Sequence, residues 1–139
     1  MKFFPYSFAV IFTLSFFNQA FAQDGEAVAA KIIPVEGETV TVHRVSTSSS
    51  SSCMTSDFPV YMGTEKLDVD FSELTELYVR HDIPASDPNN YMSVELIFDD
   101  GREGIYEMVK HIRFTGKADN GSYSIKVSDV NMIQVVKGY

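Results

Sequence analysis

A single cysteine, Cys53, rules out an intrachain disulfide and any Cys-x-x-Cys metal or redox pair. Basic residues are also scarce: 11 Lys and Arg stand against 19 Asp and Glu, a net charge of −8. Such a chain lacks the basic footprint through which nucleic acid and anionic lipid surfaces are held. Neither is expected as a partner. The motifs of familiar chemistry are missing too. There is no Gly-x-Ser-x-Gly, no Gly-x-Gly-x-x-Gly, no Gly-Lys-Ser/Thr and no His-x-x-x-His. Beyond residue 22 no apolar run is long enough to span a bilayer as a helix.

What is present begins with a secretory pattern. Lys2 is a short positive region, Phe3 to Phe17 is almost wholly apolar, and Ala20-Phe21-Ala22 fits the small-x-small cleavage rule. Residues 1–22 are therefore expected to be a signal peptide cleaved after Ala22, leaving an exported chain, periplasmic or extracellular, with no membrane insertion. No cysteine lies just after the site, so a lipid anchor there is not expected. Removal of Lys2 with the signal takes the net charge to −8 − 1 = −9. The 117 residues from 23 to 139 (139 − 22) suit one domain.

That domain reads as strands and turns. Gln23 to Ala30 is expected to fray, and Lys31 to Val35 to form a short edge strand, where the missing N–H of Pro34 faces solvent, punctuated by Gly37-Glu38. Thr39 to Val45 is a strand by its alternation of valines with threonines and His43. Ser46 to Ser52 is an unbroken Ser/Thr run, read as a loop because it has no apolar side chains to offset its ordering entropy. Pro59 makes the next segment an edge or irregular strand. The two-proline stretch Pro84 to Asn90 is the longest connection. Met92 to Phe98 and Gly104 to Phe114 form a hairpin about Asp99-Asp100-Gly101-Arg102, with an Asp-Gly type I′ turn. In the second of these runs, Ile105, Met108, Val109 and Ile112 also fit a helical face, and the hairpin context favours strand.

One figure occurs twice. In Gly121 to Val136, Tyr123, Ile125 and Val127 alternate with polar residues, a Ser128-Asp129 corner follows, and Val130, Ile133 and Val135 resume. At an offset of 56, Leu67, Val69, Phe71, the Ser72-Glu73 corner, Leu74, Leu77 and Val79 repeat it. Laid without a gap, residues 38–79 match 94–135, with Val40 against Leu96, Val42 against Phe98 and Phe58 against Phe114. Cys53 falls on Val109, an apolar position, which favours a buried thiol over pairing between chains. The expected fold is all-β, an antiparallel sandwich or small barrel of about eight strands, built as two similar four-strand halves sharing one core. The closing phrase, a turn glycine, an alternating strand, Ser-Asp-Val and Ile-x-Val, resembles small secreted bacterial β-domains of unassigned function. That resemblance covers the last half of the mature chain and implies no site residues.

Candidate chemistry is sparse. His43, His81 and His111 have no metal-ligand spacing and fall on polar positions, so no metal and no cofactor are expected. Asp99 to Glu103 and Asp119-Asn120 could offer oxygen ligands to calcium but read better as turns. Asp68 and Asp70 share a strand face, the spacing of paired carboxylates, with no supporting signature. The six tyrosines of the mature chain are the more telling surface. Tyr78, outward between Leu77 and Val79, and Tyr61 are the candidate interaction residues. The expected function is non-enzymatic binding of another envelope or secreted protein, by a sheet face or edge. The alternatives are a small-barrel carrier of an apolar ligand and, behind it, a metal-dependent hydrolase.

Overall fold

The computed structural model describes residues 28–48 and 54–137. Cys53 and residues 1–27 lie outside them. The described chain is all-β, as its alternation requires: β1 Ala29–Pro34, β2 Val40–Ser48, β3 Met54–Thr55, β4 Asp57–Met62, β5 Glu65–Asp70, β6 Leu74–Val79, β7 Tyr91–Phe98, β8 Glu103–Val109, β9 Arg113–Ala118, β10 Gly121–Lys126 and β11 Val130–Val136. All pairings are antiparallel. They join the strands into one open sheet in the order β10-β9-β2-β1-β11-β6-β7-β8-β4-β5, with β3 set against β2.

That order is a palindrome about its centre. Reflected at the β11–β6 junction, β10 falls on β5, β9 on β4, β2 on β8 and β1 on β7. The central register obeys the same relation: Leu77 pairs with Ile133, and the pairs Met132–Tyr78 and Gln134–Glu76 exchange under a 56-residue shift. An approximate two-fold axis therefore passes beside Leu77 and Ile133. The defects are repeated as well. The bulge in β1–β11 skips Asn131, and the one in β6–β7 skips Thr75, again 56 positions apart.

The gapless alignment of 38–79 with 94–135 needs correction upstream of β4. Ile32 pairs with Ile133 as Leu96 pairs with Leu77, and Val42 pairs with Ala30 as Tyr106 pairs with Val94. There the offset is 64 (from 32 to 96), so Ile32, not Val40, is the mate of Leu96. The difference, 64 − 56 = 8, is an insertion of eight residues between Val45 and Met54, the span of the Ser tract and Cys53. Each half thus has five strands rather than four, and the halves are interleaved. β1 and β2 leave their own half to pair with β11 and β9, while β7 and β8 pair with β6 and β4.

Short connections force the sheet to curl. β5 and β6 sit at opposite ends of a five-strand half, about 19 Å apart if flat at ordinary strand spacing. Only Phe71–Glu73, one 3-10 turn, joins them, and four Cα steps reach about 14 Å at most. The half must therefore bend its edge strand toward its first strand, as must the β10–β11 half with its turn at Val127–Asp129. Equivalent hydrogen bonds secure both bends, Phe71 N–H to Ser56 O (3.2 Å) and Val127 N–H to Ile112 O (3.1 Å). The first turn also carries a capping box: the Asp70 carboxylate accepts from Ser72 N–H, and Glu73 Oε1 accepts from Asp70 N–H.

The core lies inside the curl. Ala30, Ile32, Val42, Val60, Leu74, Leu77, Val94, Leu96, Val130 and Ile133 are fully buried. At its centre the symmetry mates Phe58 and Phe114 meet edge to face at 6.5 Å, and Phe71 fills the space beside them at 4.9 and 6.0 Å.

Several local expectations shift. β1 is interior rather than an edge, and Ala29 and Ala30 are buried in it rather than frayed. Pro34 is tolerated as the last residue of β1, at the bulge. Pro59 is tolerated because β4 meets β8 only at Tyr61–Glu107. The true edges are β5 and β10. Ser46–Ser48 extend β2 instead of looping, since Ser46 Oγ bonds Thr115 Oγ1 at 2.8 Å and Thr47 is buried. The run from Gly104 to Phe114 is two strands, broken at Lys110–Ile112. The Asp99–Arg102 hairpin has positive φ only at Gly101 (92°), closed by Gly101 N–H to Phe98 O, so it is a longer loop than a type I′ pair.

In β2 the pairing with β9 slips by one residue after His43, and Arg44 absorbs the slip at φ 55°. A non-glycine residue there costs about 1–2 kcal/mol. Arg44→Gly is accordingly expected to leave stability within about 0.5 kcal/mol of the parent, because relief of strain offsets the lost chain stiffness. Arg44→Val should lose about 1–2 kcal/mol, since β-branching disfavours this backbone region further. Urea unfolding of the two variants measures both.

Candidate functional site

Alternation along the central strands sends every second side chain outward, and the register aligns some of these into a row. Ile33 pairs with Met132, Met132 with Tyr78, Tyr78 with Glu95, and Glu95 with Ile105. Tyr78 lies between buried Leu77 and Val79, as its place in the repeat predicts. Ile33, Met132 and Tyr78 are half-buried, and Ile105 is 45% exposed. Ile33, Met132 and Tyr78 thus form a short apolar row on the outer face over the two-fold axis, which Glu95 separates from Ile105. Glu76, Glu95 and Arg80 border it. Arg80 Nη1 donates to Glu95 Oε1 (2.7 Å) and its Nε and Nη2 to Asp82, holding Asp82 below its ordinary pKa.

The Tyr78 hydroxyl donates to Glu76 Oε1 at 2.9 Å, and that bond raises its pKa above the usual phenol value, with burial and the Glu76 and Glu95 charges acting the same way. A raised folded value means that the contribution to stability is complete below the ordinary tyrosine pKa and is lost as pH rises through the folded one. Glu76→Gln is expected to bring the Tyr78 ionisation back toward ordinary tyrosine. An absorbance titration checks this, with Tyr78→Phe identifying the step.

Tyr61 shares the outer side but is separated from Tyr78 by β7 and β8. Its ring packs edge to face on Tyr91, 5.7 Å away, and is half-buried. The structure therefore does not bring the two sequence-predicted tyrosines together. The partners of Tyr78 in the row, Ile33, Met132 and Ile105, come from three other strands, and only the register reveals them.

A second feature is a cleft at the corner where β1 ends and the Val127–Asp129 turn begins. It encloses about 580 Å³ and is lined by Pro34, Val35, Glu36, His81, Ile125, Ser128 and Asp129. Val35 N–H donates to Asp129 O (2.8 Å), and His81 Nε2 lies 3.0 Å from Val130 O. A smaller cleft of about 180 Å³ lies beside it under the Ile83–Pro88 loop, which Glu107 pins through Ser86 N–H and Oγ.

The other candidates dissolve into structural roles. Asp70 caps the 3-10 turn and accepts from Ser56 Oγ, while Asp68 is exposed with no part in that cap. In the Asp99–Arg102 loop, Asp100 accepts from the Arg102 backbone N–H (3.0 Å) and Nε (2.8 Å), which lowers its pKa, and Asp99 pairs with Lys137. Among the described residues no three His, Cys, Asp or Glu side chains converge on a metal-sized space. Nor is any helix among them long and apolar enough to cross a membrane. No protein-family model matches the chain, and no curated protein matches it at a significant level.

Proposed function

We propose that this is an exported binding domain which engages another envelope or secreted protein through the outer face of β11, β6, β7 and β8. The observation that carries the reading is the outward row Ile33–Met132–Tyr78, continued beyond Glu95 by Ile105: apolar side chains with a tyrosine anchor and charged neighbours on the central strands. In the adjacent row the outward positions carry Thr41, Lys31, Gln134 and Glu76, followed by Ile97. The packed centre supports binding over carriage: the Phe58, Phe71 and Phe114 rings occupy the space in which a barrel carrier would hold an apolar ligand. Among the described residues no catalytic constellation gives reason to assign a reaction.

A photo-crosslinking residue at position 78 or 105, in the exporting host, is expected to trap one partner, with Lys117 on β9 as the control position. Ile105→Glu in the chain labelled at 78 should reduce the adduct about tenfold. Equal adducts from 78 and 117, or a yield untouched by Ile105→Glu, would defeat the reading.

A further inference from the structure

We propose that β5 of one molecule adds to β10 of a second copy, joining the two open edges of the sheet through backbone hydrogen bonds and opposite charge. The inference stands apart from the outer-face reading and comes from comparing the ends of the two halves. β5 and β10 are symmetry mates, and among the described residues each pairs on one side only, β5 with β4 and β10 with β9. An unpaired strand edge is a template for a further strand.

The two ends share one design and carry opposite sign. Asp57 and Asp70 are cross-strand partners in β4–β5, and their mates at the offset of 56, Arg113 and Lys126, are cross-strand partners in β9–β10. Like charges directly opposite one another work against the hairpin that holds them. The same unfavourable arrangement thus stands at both ends, acid at one and base at the other. Local bonds engage part of each pair, since Asp70 caps the 3-10 turn and Arg113 Nε donates to Ser124 Oγ (2.6 Å). The Lys126 ammonium has no partner among the described residues. Alternation adds Asp68 to the acidic outer face and Lys117 to the basic one, and Lys66 is the one charge in these four strands that breaks the division.

These signs select the occupant. A contact of β5 with β5 would set acid on acid, and one of β10 with β10 base on base. Only β5 against β10 joins opposite charges, and both belong to this chain. On the inner side of the edges stand the mates Leu67, 44% exposed, and Tyr123, half-buried, which the added strand would cover with apolar surface.

The test is sedimentation velocity of the mature chain over a range of concentrations at about 0.1 M salt, where repulsion between whole acidic chains is screened beyond about 10 Å and contacts across an edge are not. Average mass is expected to rise with concentration, with a Kd on the order of 100 µM for so small an interface. Asp57→Lys with Asp68→Lys makes both ends basic, and Lys117→Glu with Lys126→Glu makes both acidic. All four residues are exposed, and the Asp70 cap and the Arg113 bond stay in place. Each double variant alone should associate about tenfold more weakly, and an equal mixture of the two should recover the parent's association. Recovery requires both variants to be folded, so it separates charge from damage. A second measurement needs no variant: amide hydrogen exchange of the parent should slow in β5 and β10 as concentration rises. A monomer at every concentration up to about 1 mM, undiminished association of either variant, or slowing in the central strands in place of the edges would overturn the proposal. An adduct between copies has the mass of two chains, which tells it apart from a partner trapped at position 78 or 105, so the two proposals fail separately.

Discussion

Phe71→Ala is expected to lose about 3–5 kcal/mol of stability, the range for truncating a fully buried aromatic ring. The position is more demanding than its burial alone indicates. Phe58 and Phe114 are symmetry mates, but the mate of Phe71 is Val127, so one large ring fills space on one side of the axis only. Removal leaves Phe58, 4.9 Å away, and Phe114, 6.0 Å away, without their shared neighbour. The mates approach each other from strands in different halves, so the structure has little freedom to collapse into the void. The backbone N–H of residue 71 keeps its bond to Ser56 O, so the turn itself should survive. Against a total stability of about 5–15 kcal/mol, the loss should show as a lower urea midpoint with m unchanged. Phe71→Val, which copies Val127, should lose less than alanine. Equal losses for valine and alanine would mean that the ring contacts, rather than filled volume, dominate.

Gly116→Ala is expected to lose about 3 kcal/mol, at the upper end of overpacking effects. A Cβ at this position would stand 2.2 Å from Val42 Cγ1 and 2.8 Å from His43 O. Val42 is fully buried and stiff at its first side-chain torsion, and the carbonyl belongs to the strand that slips its register at Arg44. Neither neighbour is the free end of a flexible side chain. The symmetry mate of Gly116 is Val60, which is tolerated on β4 where the partner strand makes a single pairing, Tyr61–Glu107. On β9 the partner strand β2 pairs through four positions and runs close. Combining Gly116→Ala with Val42→Ala removes the nearer clash but not the carbonyl contact. The double variant should therefore recover part of the loss, and a thermodynamic cycle measures how much. Strict additivity of the two changes would show that the side-chain clash is not the cause.

The strands and the repeat were legible because both rest on short-range patterns. Alternation at Val40 and Val42, at Leu67 and Val69 and along Tyr123 to Val127 marks strand faces, and the figure that crosses a three-residue corner has the same length in both copies. Tyr78 could be placed outward for the same reason. The upstream alignment failed at the Ser tract. Any even offset keeps apolar positions on one face, so 56 and 64 preserve the in-and-out pattern equally well, and only pairing reveals an eight-residue insertion. Prolines misled for a related reason: Pro34 and Pro59 announce a missing donor, but whether a neighbouring strand needs that donor depends on register and bulges. The corner cleft gave no sequence signal, because its lining at Glu36, at His81 and along Ile125 to Asp129 comes from three separate segments.

By itself, then, the amino-acid order determined that the chain forms strands, where most of them run and which side of them is apolar, and that two stretches share one design. These are consequences of side-chain chemistry at a two-residue period, and they need no distant partner. The tertiary structure alone decided which strands are neighbours. Hydrogen bonding along a strand is the same for any partner, and burial of both apolar faces in one core is what selects the exchange of β1–β2 and β7–β8 between halves. That exchange brings Leu77 against Ile133 and leaves β5 and β10 as the two edges.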